Sequence, residues 1–419
     1  MGAQKIVIIG GVAAGPKTAA RARRVAPDAD ITIVERGKLI SYAGCGMPYY
    51  LSGEVPKFDQ LFETTYHVIR DEEFFWREKG CRVLTRTEAV AIDRAKKEVQ
   101  VKNLETGEEY SLPYDKLVLA TGAEPVMPPI EGIELQGVHK LSHPDDARKI
   151  KDYLETVECD EAVVVGAGMI GLETVDALMK LQMFCSVVEL QEQILPGMLD
   201  QDMAAVLTRK LTEQGVEFYL GHKVLRFEGD EDGRVMAVVT DKGTIETNLV
   251  VVAVGVRPNV RLARDAGLAI GPTGAIAVNE HLQTSDPDIY ALGDCAETTH
   301  LVSGQKVYLP MATLANRQGR VAGDNVAGGD SVFRGALGTA VLHTVGFNVG
   351  RTGLSERQAR DLGYKVTVGV NHGFDRTHYH PDNGLVLMKL IAEEGTGRIL
   401  GAQALGAGDA VKRIDVVAT

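Results

Sequence analysis

Cys45 sits between two glycines in the segment SYAGCGMPYY. Small neighbours let a thiol approach a planar ring closely, and Pro48 suits the first turn of a helix. A thiol at such a helix start is expected to be thiolate-rich at neutral pH, and the thiolate is the form that attacks sulfur. Cys81, Cys159, Cys185 and Cys295 have no comparable setting and read as inert. Five widely spaced cysteines without a CxxC pair suit neither a disulfide scaffold nor a zinc site, so no metal is expected.

Two glycine loops supply the second kind of chemistry. GAGMIG places Gly166, Gly168 and Gly171 for a tight turn, an approach to pyrophosphate and close helix packing. Glu189, 18 residues after Gly171, is placed to accept ribose hydroxyls. A carboxylate there repels a 2′-phosphate, which favours NADH over NADPH. Glu173 lies two residues past the loop, and Gly255 closes the apolar run LVVVAVG, both on the NAD side. The other loop, GGVAAG, has Gly10 and Gly15 in place but Val12 where a middle glycine is expected. Glu35, 20 residues after Gly15, stands where an adenine-ribose ligand belongs, with Arg36 beside it. Two such loops need two dinucleotides, and FAD with NAD is the usual pair.

The elements that must position these residues are two βαβ units. Residues 5–9 form an apolar, β-branched strand, PKTAARARRVA a helix and DITIVE a second strand. AVVVG, LETVDALMKLQ and CSVVE repeat that grammar, so the chain carries an internal duplication. KLVLATG, ending in Thr121 and Gly122, and LVVVAVG occupy equivalent places. TSDPDIYALGDC resembles the second flavin motif of two-dinucleotide flavoproteins, whose aspartate, here Asp294, holds the ribityl chain. A helix beginning near Pro310, with Ala312 in its first turn, could aim its N-terminus at the flavin pyrimidine. A plain surface helix would show the same periodicity.

From about residue 330 the pattern becomes α+β, with strands in VGRTGLS, YKVTVGVN, LVLMKLIA and RILGAQALG. The last residues, VKRIDVVAT, read as an opening helix whose continuation is expected beyond the chain. The fold class is therefore α/β: two Rossmann-like dinucleotide-binding domains plus a C-terminal α+β interface domain. The expected division is an FAD domain over 1–147 and 272–325, an NAD domain over 148–271 and a dimerisation domain over 326–419.

Composition narrows the class. The chain has 419 residues, 45% apolar and 24% charged, enough for two or three ordinary cores. A formal charge of −12 argues against nucleic-acid binding, which needs a concentrated basic footprint. No apolar run reaches the roughly 18–20 residues that cross a bilayer, and the start MGAQKIVIIGG lacks a secretory signal. A cytoplasmic protein without membrane partners is expected.

Carried by GGVAAG, SYAGCGMPYY, LATGAEP, GAGMIGLE, VGVRPN and YALGD, the chain resembles the pyridine nucleotide-disulfide oxidoreductases over essentially its whole length. It is similar to their single-cysteine branch, the coenzyme A disulfide reductases and NADH-dependent polysulfide or persulfide reductases. The CxxxxC pair of glutathione-reductase-like members is missing, since position 50 is Tyr. The first glycine loop also lacks the histidine found in NADH oxidases and peroxidases of this branch.

The resemblance implies further roles. Ser41 matches the family's serine beside the thiol, while Gly44 replaces the usual asparagine. Lys17, Arg21 and Arg24 fall on one helix face that the family uses for coenzyme A phosphates, although a solvated face would look alike. Tyr379, in RTHYHPDN, is the candidate for a tyrosine supplied across a homodimer. Some relatives continue into a rhodanese domain.

The expected function is an FAD-dependent oxidoreductase that uses NADH to reduce a disulfide, persulfide or polysulfide through Cys45, coenzyme A being the favoured small-molecule thiol. The first rival is an NADH oxidase in which Cys45 cycles through sulfenic acid. The others are a flavin-dependent reductase of a small electron-transfer protein and a non-catalytic redox sensor, the latter disfavoured by two complete dinucleotide sites.

Overall fold

Three pentapeptides, KIVII, DITIV and EAVVV, share one pattern in which the first residue is exposed and the next four are buried. A strand buried on both faces belongs in the middle of a parallel sheet covered by helices. A computed structural model describes residues 2–419 and contains two such sheets. Its helices run in chain order as α1 (Ala14–Val25), α2 (Met47–Ser52), α3 (Glu72–Lys79), α4 (Pro144–Thr156) and α5 (Met169–Lys180). Then come α6 (Gln201–Glu213), α7 (Arg261–Asp265), α8 (Ala312–Val326), α9 (Glu356–Asp361) and α10 (Ala410–Ala418).

The chain divides into two units. The first takes residues up to Ala43, Asp59–Glu124 and Val256–Ala336. Its central strand, Lys5–Ile9, pairs in parallel with Asp30–Val34 and Lys116–Leu119. Arg82–Leu84 and Ile289–Ala291 form the edges, also in parallel. A three-stranded antiparallel sheet, Thr87–Asp93, Glu98–Asn103 and Glu109–Pro113, leaves the chain between Arg82–Leu84 and Lys116–Leu119. Ile6, Ile8, Ile31, Ile33, Leu117 and Leu119 are essentially inaccessible, and truncating one to Ala should cost about 2–5 kcal/mol. α1 packs on α8 because Gly319 and Gly323 leave room. A Cβ on them would lie 2.8 Å and 2.6 Å from the Cβ atoms of Lys17 and Arg21.

The second unit takes Gly44–Phe58, Pro125–Gly255 and Leu337–Thr419. Its parallel sheet runs Glu217–Leu220, Phe184–Glu189, Glu161–Val165, Leu249–Val252 and Val138–Lys140. Its antiparallel excursion, Val224–Gly229, Val235–Thr240 and Thr244–Glu246, occupies the same chain position as the one in the first unit. One edge differs in origin. Ile289–Ala291 comes late in the chain, whereas its counterpart Val138–Lys140 precedes the rest of its sheet.

The four strands predicted after residue 330 form Phe347–Gly353, Val366–Phe374, Leu385–Glu393 and Ile399–Gly406, with Ala340–Thr344 completing an antiparallel sheet. VKRIDVVAT lies almost wholly in α10, whose Ala410 and Ile414 are buried against that sheet. Within this unit the fully buried Lys389 ammonium is 2.9 Å from Asp202, 2.9 Å from Glu356 and 3.3 Å from Asp200. A buried cation needs such partners. Among the described residues no helix is long and apolar enough to cross a membrane.

Candidate active site

The glycines of both loops are required by backbone packing. Gly10 has φ +115°, and an added Cβ would lie 2.0 Å from the Ala120 carbonyl oxygen; one on Gly15 would lie 1.9 Å from the Gly10 oxygen. In the second unit Gly166, at φ +107°, would meet the Ala253 oxygen at 2.4 Å, and Gly171 would meet the Gly166 oxygen at 2.0 Å. No side chain fits at these contacts. Gly168 is different, because a Cβ there meets nothing within 4 Å. Its counterpart in the first loop is Val12, which explains why that loop closes without a middle glycine.

Each loop is held by its strand-end acid. Glu35 Oε2 accepts from the Gly11 amide and Oε1 from the Gly37 amide, both at 2.7 Å. Glu189 accepts from Ala167 at 2.8 Å and Gln191 at 2.9 Å. α1 and α5 begin without a side-chain cap and with no acid in the first turn. Uncapped amides at a helix start beside a carboxylate form a donor set that fits a pyrophosphate and an adjoining ribose. Both loops therefore fit a dinucleotide on this chain's own geometry.

Further residues gather within each unit. In the first, Thr121 and Asn259 exchange hydrogen bonds: Thr121 Oγ1 donates to the Asn259 oxygen at 2.7 Å and Asn259 Nδ2 donates back at 2.9 Å. The Asn259 amide also donates to the Gly122 oxygen at 2.9 Å, with Gly122 at φ +67°. Asp294 follows Gly293, whose amide donates to buried Gln318 Oε1. Burial raises the Asp294 carboxyl to about 6, opposed by a hydrogen bond from the Met311 amide at the start of α8. Ala312 is the first residue of that helix. Arg36 is exposed. In the second unit, burial and then the nearby Asp176 carboxylate raise Glu173 to about 7. Gly255 turns at φ +112° with open space beside it.

Cys45 lies in a single 3-10 turn, Gly44–Gly46, that leads into α2 with Pro48 in its first turn. Its side chain is exposed. Burial pushes the thiols of Cys81 and Cys159 up to about 11 and that of Cys185 to about 12, and it raises Cys295 as well. Ser41 adopts φ +52°, a left-handed conformation that costs a non-glycine residue on the order of 1 kcal/mol. Its amide donates to the Gly11 oxygen at 2.8 Å, and its carbonyl accepts from Arg70 Nη1 at 2.8 Å. Leu195, six residues after Glu189 as Ser41 is after Glu35, repeats this with φ +48° and a bond to the Ala167 oxygen.

The basic face of α1 is partly engaged. Arg21 pairs with Asp324 of α8. Burial lowers the Lys17 ammonium, and the charges of Arg320, Arg24 and Lys79 lower it further. Tyr379 is largely exposed on the turn 375–384, edge-on to His378. Asn259 and Arg70 were not among the sequence candidates. Asn259 ends the quoted VGVRPN, but nothing in that string announces its bond to Thr121, and Arg70 has no local signal at all. Among the described residues no group of three or more His, Cys, Asp or Glu could hold a metal ion.

Residues 4–319 match the family profile described as pyridine nucleotide-disulphide oxidoreductase, and residues 340–419 match its dimerisation domain. The chain is 38% identical over 413 residues to an "NAD(P)H sulfur oxidoreductase (CoA-dependent)" of Pyrococcus abyssi, covering 99% of this chain and 89% of that one. It is 37% identical to an "NADH oxidase" of Methanocaldococcus jannaschii, covering 99% and 90%. Its fold is similar to that of a solved "NAD-Dependent Persulfide Reductase from A. fulgidus", with a TM-score of 0.96 and 44% identity over 99% of this chain and 76% of that one.

Proposed function

Because the chain belongs to the pyridine nucleotide-disulphide oxidoreductase family, we propose that it reduces a disulfide, persulfide or polysulfide with NADH, using Cys45 as the attacking thiol. The contrast between one exposed thiol at the start of α2 and four that burial holds protonated carries this reading. Bound FAD would relay the electron pair of NADH to sulfur. Gly10, Gly15, Glu35, Arg36, Thr121, Gly122, Asp294 and Ala312 would hold it. Gly166, Gly168, Gly171, Glu173, Glu189 and Gly255 would hold NADH, the Glu189 carboxylate disfavouring a 2′-phosphate.

The thiolate of Cys45 attacks one sulfur of the substrate, and the S–S bond breaks. The leaving thiolate departs with the bonding pair, and Cys45 is left in a mixed disulfide or persulfide. Two electrons, originating in NADH, then cleave this new S–S bond, releasing the second half of the substrate as a thiolate, or as hydrosulfide from a persulfide with uptake of a proton, and returning Cys45 to the thiolate. Coenzyme A is the favoured thiol component. The excess positive charge around Lys17, Arg24 and Arg320 supports phosphate recognition, and the P. abyssi relative is called CoA-dependent. Ser41 would stand beside the thiol, and Tyr379 would serve across a cytoplasmic homodimer formed through residues 340–419.

The test is anaerobic NADH oxidation with coenzyme A disulfide, coenzyme A persulfide or polysulfide, in the parent and in Cys45→Ser. Fast turnover that the substitution abolishes, with reduction of the bound flavin by NADH retained, is the expected result. Unchanged turnover in Cys45→Ser would sink the mechanism. The M. jannaschii relative favours one second reading, an NADH oxidase with a Cys45 sulfenic acid. Turnover only with oxygen would select it.

A further inference from the structure

The segment that carries Cys45 is fastened within the second unit by three cations on three aromatic rings. Lys180 lies 5.9 Å from the Tyr49 ring centre, Lys151 lies 4.8 Å from Tyr50, and the Arg148 guanidinium lies 4.8 Å from Phe58. Lys180 does more than stack. Its ammonium is 2.8 Å from Glu54, two residues beyond the end of α2, and 2.9 Å from Asp176 on the preceding turn of α5. Glu54 is itself oriented by the Ser52 hydroxyl at 2.9 Å. Asp176 accepts from the Val345 amide at 2.7 Å, so its carboxylate is fixed from the far side. Two carboxylates converging on one point repel unless a cation lies between them. Lys180 is that cation, and as the last residue of α5 it also meets the negative end of the helix dipole.

From this geometry we infer that Lys180 is a positioning residue for the cysteine helix, anchoring α2 to the C-terminal end of the helix that begins within the GAGMIG segment. Twelve helical residues span roughly 18 Å, so α5 is a strut with the nucleotide loop at one end and the cysteine segment at the other. Methionine at 180 would keep most of the packing but leave Glu54 and Asp176 facing each other. The start of α2, and with it the thiol, would then lose its fixed attitude. The inference rests on Cys45 being the reactive thiol, and the measurements below separate the two ideas.

Holoenzyme carrying Lys180→Met or Lys180→Arg is compared with the parent by three readouts. The first is hydrogen–deuterium exchange of the Met47–Ser52 amides. The second is the iodoacetamide alkylation rate of the Cys45 peptide in NADH-reduced protein, followed by mass spectrometry. The third is NADH reduction of the bound flavin. Lys180→Met should speed exchange in α2 and slow alkylation, each on the order of fivefold. Flavin reduction should stay within twofold, and Lys180→Arg should restore most of the loss. Unchanged exchange and alkylation in Lys180→Met would overturn the inference. So would faster exchange throughout the protein together with slower alkylation, slower flavin reduction and lower thermal stability, which marks a general structural role. Sulfur-substrate turnover surviving Cys45→Ser would instead remove the reading beneath it, while the exchange data still judge the anchor.

Discussion

Glu35 and Glu189 make the same pair of hydrogen bonds in the two units, each carboxylate spanning the second amide of its glycine loop and the amide two residues beyond itself. A carboxylate accepts at both oxygens, whereas an amide can accept at only one. Glu35→Gln and Glu189→Gln should therefore each cost about 1–3 kcal/mol in thermal or denaturant unfolding, because one loop amide loses its acceptor. Glu189→Gln should also relax coenzyme choice, lowering the KM for NADPH on the order of tenfold by removing a charge that repels the 2′-phosphate. An unaltered NADH-to-NADPH ratio would show that Glu189 acts on the loop alone.

The second loop offers a comparison between neighbouring glycines. Gly171→Ala drives a methyl to 2.0 Å from the Gly166 oxygen and should destabilise by about 1–3 kcal/mol. Gly168→Ala enters open space at an extended φ of −78° and should stay within about 0.5 kcal/mol of the parent. Yet it should raise the KM for NADH on the order of tenfold if the pyrophosphate occupies that space. Equal effects of both substitutions on folding would contradict the packing argument.

Glu173 provides the pH dependence. Its carboxyl is raised from 4.5 to about 7 in the fold, so the folded protein is penalised once the group ionises. That penalty is absent below pH 4.5, grows between pH 4.5 and 7, and is complete above. Glu173→Gln should raise stability at pH 8 by on the order of 1–2 kcal/mol and leave it unchanged at pH 4. Melting temperatures at the two pH values check this. An equal gain at both would assign the effect to packing.

Much of this was readable from residue order. Alternating βαβ grammar, apolar pentapeptides and loop glycines are local signals, so the duplicated units and the strands of the C-terminal α+β domain are legible in the sequence, whereas the antiparallel order of that last sheet is set by the fold. Glu35 and Glu189 were legible because strand length fixes how far a terminal acid stands from its loop. Lys180, Arg70 and Asn259 were not. Each acts on a residue more than 25 positions away that only the folded chain brings near, and even the VGVRPN string that ends in Asn259 does not announce its partner. Spacing also gave no hint that Arg21, one of three stripe cations, is taken up by Asp324.

The edge strand Ile289–Ala291 has a consequence for synthesis. The first sheet pairs it directly with Lys116–Leu119, yet the ribosome must make all the strands of the second parallel sheet in between. At roughly 5–20 residues per second, the wait from Leu119 to Ala291 is on the order of 10–30 s. Throughout that interval Lys116–Leu119 is paired on one side only and its other side is an open parallel edge, while the second parallel sheet, whose strands all lie between Val138 and Val252, can close first. The parallel sheet begun first is therefore completed after the one begun second, and a nascent-chain chaperone should engage its open edge.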